Sequence, residues 1–224
     1  LALLYSNQGL YKQAEPLYQR ALAIREKVLG SEHPDTAQSL NNLALLYNNQ
    51  GLYKKSELLY VRALVIIEKL LGPDHPTTAI CINNLAGLYY DKGFYKKAEP
   101  LYIRALAINE KALGAEHPST ANSLNNLALL YSNQGLYKKA EPLYQRSLSI
   151  REKVLGPEHP DTAISLNNLA SLYKNQGLYK QVYTLYIRAL TINDNTLGPE
   201  HPNTATSLNN LALLYSNQGL YKKA

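Results

Sequence analysis

Five histidines, His33, His75, His117, His159 and His201, stand 42 residues apart along a chain of 224. Each is followed by proline, one variable residue, threonine and alanine. Tyr5, Tyr47, Tyr89, Tyr131, Tyr173 and Tyr215 keep the same step. A constant step of this length implies one supersecondary unit copied along the chain, in which no copy can bury its apolar face alone and neighbours must stack. The expected organisation is therefore one solenoid over 1–224, with units at about 1–34 (partial), 35–76, 77–118, 119–160, 161–202 and 203–224 (partial). The chain opens and closes in mid-pattern, which fits a piece of a longer array.

Glycine punctuates the unit. Six of the twelve lie at Gly9, Gly51, Gly93, Gly135, Gly177 and Gly219, and five at Gly30, Gly72, Gly114, Gly156 and Gly198. Both sets follow helix-periodic segments, where a residue in the left-handed region closes a helix. In one copy Leu40, Leu43, Ala44 and Tyr47 share a helical face over roughly 34 to 50, and Ser56, Tyr60 and Ala63 share one over roughly 53 to 71. The short link between them predicts antiparallel packing. The class is all-α, with ten complete helices and a partial one at each end. Pro16, Pro100 and Pro142 fall inside second helices, where a lost amide donor predicts a slight bend or an irregular first turn.

Leu43, Ala44 and Tyr47 in a first helix, followed by the pattern of Ala98, Tyr102 and Ala105 in a second, resemble the tetratricopeptide repeat. The unit length and the phrases "SLNNLALLY", "AEPLYQRALAIREKVLG" and "GPEHPDTA" are similar to the repeats of kinesin light chains and their prokaryotic relatives. The resemblance implies a right-handed α-solenoid superhelix of antiparallel helix pairs, whose first helices line a concave groove for extended peptides. It also implies a protein-interaction scaffold and not an enzyme.

The repeated histidine invites a metal reading with Glu32 or Asp35. Neighbouring loops should lie one helix spacing apart, about 8–10 Å, whereas zinc–nitrogen bonds are about 2 Å. Pro34 has the place of a first helical residue, so His33 is read as the N-cap. No metal, no cofactor and no catalytic residue is expected. Cys81 is the single cysteine and stands in register with Ser39, Ser123, Ser165 and Ser207.

Net charge is +6, but the lysines and arginines of the second helices are interspersed with glutamates, and residues 36 to 50 carry no charge. That is a mixed solvated face and not a phosphate track, so no nucleic-acid partner is expected. No segment is long and apolar enough to span a membrane as a helix, and a cytoplasmic setting is expected.

Complete first helices carry paired asparagines, of which Asn41, Asn83, Asn125, Asn167 and Asn209 come first. Asn41 shares a wheel face with Gln38, Leu45 and Asn48, turned away from the core stripe, and the resemblance assigns that face to the groove. An amide both donates and accepts, so this row can hold a peptide backbone of any sequence, or it can bridge adjacent units. Bridging is the preferred role for the second asparagine of each pair. Selectivity should come from positions where copies differ. Gly87 replaces Leu45 and Leu129, and Tyr90 replaces Asn48, giving an expected notch beside an aromatic hydroxyl. Ser171 and Lys174 are the departures of the fifth unit.

The expected partner is a protein or extended peptide. The rival reading is a structural spacer or self-assembly element without its own ligand. Leu208, Leu211 and Tyr215 would present an apolar face for head-to-tail self-association through uncapped ends.

Overall fold

The computed structural model describes residues 1–217. They fall into two compact units, Leu1–Leu113 and a second beginning at Gly114. The first holds α1 (Ala2–Asn7), α2 (Tyr11–Leu29), α3 (Pro34–Asn49), α4 (Tyr53–Leu71), α5 (Pro76–Asp91) and α6 (Tyr95–Leu113). The second holds α7 (Pro118–Asn133), α8 (Tyr137–Val154), α9 (Pro160–Asn175), α10 (Tyr179–Leu197) and α11 (Pro202–Asn217). Helices α2 to α11 are the ten complete helices the repeat predicts, and α1 is the partial one at the start. The partial helix expected at the close, within 218–224, lies outside the described residues. Among those residues there is no strand.

The recurring His-Pro-x-Thr-Ala motif builds each first helix from its N-terminus. In α3 the His33 Nδ1 accepts from the Asp35 amide at 3.1 Å. Pro34 occupies the first turn, where its missing N–H costs nothing. The buried Thr36 hydroxyl donates to the Gly30 carbonyl at 2.8 Å, tying the loop to the helix. Ala37 is fully buried against the next layer. The same imidazole caps recur at His75, His117, His159 and His201. The same threonine ties recur at Thr78, Thr120, Thr162 and Thr204.

The two glycine registers do different work. Gly51, after a first helix, has φ 72°, and the Leu52 amide donates back to the Tyr47 carbonyl at 2.8 Å. That is the left-handed helix stop the sequence predicts. Gly30, after a second helix, has φ 97° and ψ 160°. This is a region open almost only to glycine and distinct from the left-handed helical one, so the expectation for the second register is corrected. The helix is continuous through Pro16, Pro100 and Pro142. All three are exposed, so water can reach the carbonyl each leaves without a donor.

Core contacts show how layers stack. Ala37 and Leu40 of α3 meet Ala63, Ile66 and Ile67 of α4 together with Cys81 of α5. Farther along, Ala44 meets Tyr60, Leu85 and Leu88. The start of α3 thus lies against the end of α4, which makes the pair antiparallel. In the second unit Ala163 and Leu166 of α9 meet Ala189 and Ile192 of α10, while Ala170 meets Val182, Tyr186 and Leu214 of α11. Small residues set the approach: Ser56 is fully buried and its hydroxyl donates to the Ala44 carbonyl at 2.8 Å. Truncating a fully buried leucine such as Leu40 to alanine costs about 2–5 kcal/mol.

Candidate functional site

In the first unit, α3 and α5 frame a cleft of about 290 Å³. Asn41 and Leu45 line it with Gln38, Ile67, Ile80 and Cys81. Leu45 and Ile80 give it apolar patches and are about half exposed, at 47% and 57%. Asn41 is buried and its Nδ2 donates to the Cys81 Sγ at 3.4 Å. Its Oδ1 is buried with no hydrogen-bond partner. Burial pushes the Cys81 thiol above its ordinary pKa, the weaker bond from Asn41 pulling the other way. That thiol forms part of the cleft wall. Asn48, about two turns on from Asn41, donates to the Asp91 carboxylate at 2.6 Å.

Asn83, Gly87 and Tyr90 lie half-buried on α5. A Cβ added at Gly87 would meet the Tyr102 hydroxyl of α6 at 3.7 Å. The hydroxyl beside the notch is therefore Tyr102, kept neutral because burial raises its pKa well above the usual tyrosine range. The Tyr90 ring instead packs on Tyr95, with centroids 5.8 Å apart.

In the second unit, Asn167, Ser171 and Lys174 line one cleft of about 280 Å³ between α9 and α11, together with Ile164, Asn193 and Asn210. The structure thus brings the three α9 positions together. Asn209 is exposed on α11, and its neighbour Asn210 lines the cleft in its place. Asn125 accepts from Asn168 Nδ2 at 2.8 Å, so here a second asparagine bridges adjacent first helices. Leu129 is exposed on α7.

Sequence reasoning missed one column of the repeat register in the second helices. Arg25, Ile67, Asn109, Arg151 and Asn193 occupy one register in the second helices. Arg151, only 6% exposed, reaches between α7 and α9. It donates to the Ser165 hydroxyl at 2.5 Å, the Asn122 side-chain oxygen at 2.6 Å and the Asp161 carbonyl at 3.2 Å. Burial lowers its pKa and the charge of Asp161 opposes the shift. Arg25 makes the same pair of bonds, to the Asp35 carbonyl at 2.9 Å and the Ser39 hydroxyl at 2.8 Å. Asn193 keeps them with a shorter side chain, to the Asn203 carbonyl at 3.3 Å and Ser207 at 3.0 Å. Ile67 cannot make them, and there the serine is replaced by Cys81. The signal was present in the sequence as this paired departure, but the column sits far along the second helix, in a stretch read as solvated.

The histidine nitrogens that point inward are spent on helix caps, and among the described residues no group of histidine, cysteine or carboxylate side chains is placed to hold a metal. The charges of the second helices pair across successive repeats. Arg62 meets Glu26 at 2.7 Å, Arg104 meets Glu68 at 2.7 Å and Arg188 meets Glu152 at 2.6 Å. These pairs are part-exposed and individually weak. Tyr89 donates to Glu57 at 2.8 Å, and that bond, with smaller help from Lys92 and Lys97, holds the Glu57 carboxyl below its usual pKa. No helix among the described residues is long and apolar enough to cross a membrane.

A family model for the tetratricopeptide repeat matches residues 1–64, 40–93, 81–153, 131–182 and 165–224. No curated protein matches by sequence. Among solved structures, the chain is similar to BtubC (BKLC) from P. vanneervenii, with TM-score 0.80 and 24% identity over 96% of this chain and 86% of that one. It is similar to the nearly identical TPR-like repeats of a candidate kinesin light chain from Podosopora anserina, with TM-score 0.71 and 30% identity over 85% of this chain and 90% of the other. The apo form of RapI shares the fold at 17% identity and TM-score 0.71, over 99% of this chain and 83% of that one.

Proposed function

Because this chain belongs to the tetratricopeptide repeat family, we propose that it is a non-enzymatic scaffold whose first helices hold an extended peptide through asparagine amides. The observation that carries this reading is the pair Asn41 and Asn167. Each lines a cleft on its unit's first-helix face, and each has a side-chain oxygen buried without a partner. A buried acceptor left unmade is costly, and a peptide N–H laid along the face would satisfy it. Asn125, already bonded to Asn168, contributes to the spacing of the helices instead.

Hydrogen bonds alone do not suffice. Neutral ones contribute about 0.5–1.5 kcal/mol each, and a micromolar complex needs about 8 kcal/mol after ordering costs. Side-chain clefts supply the remainder, which favours Leu45, Gly87, Ser171 and Lys174 as contacts beside the amides. The repeat-to-repeat ion pairs favour a protein ligand over nucleic acid.

The test is selection of randomised linear peptides against residues 1–224, followed by titration of a selected peptide. Asn41→Ala and Asn167→Ala, singly and together, should weaken it about five- to hundredfold with little change in melting temperature. No selected peptide, with a second copy's helix seated on the face instead, would establish the spacer or self-assembly reading.

A further inference from the structure

The cleft between α9 and α11 has a polarity that narrows what can enter it. Asn193 forms part of its floor and is 3% exposed. Its Nδ2 donates to the Asn203 carbonyl and to the Ser207 hydroxyl. A main-chain carbonyl can only accept, so the orientation of this amide is fixed and its Oδ1 is the end left over. That oxygen is buried without a partner, as is the Asn167 Oδ1 on the facing helix. Ser171 and Lys174 add donors on the α9 side, and Ile164, 42% exposed, adds an apolar wall. Among the described residues no carboxylate lines the cleft.

We propose that this cleft is a receptor for a carboxamide, the side chain of a glutamine or asparagine in an extended peptide, with Asn193 as its specificity-determining residue. The inference rests on the peptide-binding reading above and names one residue that such a ligand carries. Other side chains fail on stated grounds. A carboxylate brings no N–H and would set its charge against the Asn193 oxygen. A lysine or arginine would face Lys174 with no anion to offset the repulsion. An aliphatic chain would leave both asparagine oxygens unmade, at the desolvation cost of each. A carboxamide offers two N–H donors to the two oxygens, and its own oxygen can accept from Lys174 or Ser171. A site built to hydrogen-bond a polar group also rejects analogues that lack it far more strongly than an apolar pocket rejects a shape change.

The chain itself supplies well-matched controls. Asn193 with Ser207 stands in register with Ile67 and Cys81, and with Arg151 and Ser165. The double variant Asn193→Ile with Ser207→Cys therefore imports a pair that this fold already accommodates, and the single variant Asn193→Arg imports the other. Helicity and melting temperature confirm that both fold. Randomised linear peptides are selected against residues 1–224, and a selected sequence is titrated beside its Gln→Glu and Gln→Met counterparts. The expected result is a glutamine or asparagine recurring at one position, with both counterparts at least about tenfold weaker. The isoleucine variant should lose that discrimination while still binding through the rest of the peptide, and the arginine variant should prefer the Glu peptide. Peptides that are selected without a carboxamide, or whose preference survives in the isoleucine variant, overturn this assignment and leave the scaffold reading intact. Selection that yields no peptide at all overturns both.

Discussion

At the loop before α5, an imidazole nitrogen closes the helix. His75 Nδ1 accepts from the Thr77 amide at 3.1 Å while Pro76 takes the first turn. In the loops before α3 and α9 an acid, a histidine and a second acid fall within four positions, and there too the ring nitrogen caps the helix. The ring nitrogen nearest the chain is occupied by the cap. The acids of the loops have their own partners, as Glu32 does with Lys69 at 2.6 Å and Asp74 with Lys111. His75→Ala should therefore destabilise the chain by about 0.5–2 kcal/mol, the cost of an N-cap, and His75→Asp should restore most of it. Urea unfolding measures both. Added zinc should leave the wild-type midpoint unmoved. A zinc-dependent rise that vanishes in His75→Ala would mean that the loops bind metal after all.

At the scale of the helix, glycine carries two opposite expectations. Gly87 sits inside α5 at ordinary helical angles, and an added Cβ finds only the Tyr102 hydroxyl at 3.7 Å, an unstrained contact. Gly87→Ala should stabilise by up to about 1 kcal/mol, since glycine is that much the poorer helix former. Gly72 has open space around it but φ 91°, so Gly72→Ala should destabilise by about 1–3 kcal/mol through backbone strain alone. A thermal melt of the two variants should move in opposite directions, and a common direction would count against this account. The contrast also marks what was legible. Helix ends, caps and the core stripe could be read because periodicity and punctuation act within a few residues. Gly51 at φ 72° and Gly72 at φ 91° both follow a helix, and the cue that separates them is Pro73, which pushes the residue before it to an extended ψ. Of the two clefts, the lining positions Asn41, Asn167, Ser171 and Lys174 could be set on one helix face from register. The role of Tyr102 beside Gly87 could not be read, because the hydroxyl arrives from the next helix and its reach depends on the crossing of α5 and α6.

Across the molecule, stability in a stacked array is close to a sum of unit and neighbour terms, so a change in one layer is felt mainly by the layers touching it. The Arg25, Ile67, Arg151 and Asn193 register is one such neighbour term within each unit. At Arg25, Arg151 and Asn193, a serine on the next first helix receives its hydrogen bond. At Ile67 the partner is Cys81, and both belong to one apolar cluster with Leu40 and Ile66. The repeats should therefore be interchangeable only as matched pairs. Ile67→Arg in the native background places a guanidinium beside a thiol, with the Thr77 carbonyl as its one strong acceptor by analogy with Arg25 and Asp35. A buried, poorly paired charge of this kind should cost about 3–5 kcal/mol. Cys81→Ser alone leaves a hydroxyl against Ile67, costing about 1–3 kcal/mol. Combined, they rebuild the Arg25–Ser39 pair, so the double variant should be less destabilised than the sum of the singles by about 1–3 kcal/mol. Chemical denaturation of the four proteins measures that coupling, and hydrogen exchange should confine the loss to α3, α4 and α5. Strict additivity would mean that the arginine and the serine do not recognise each other, and that the paired departure at Ile67 and Cys81 arose from two independent changes.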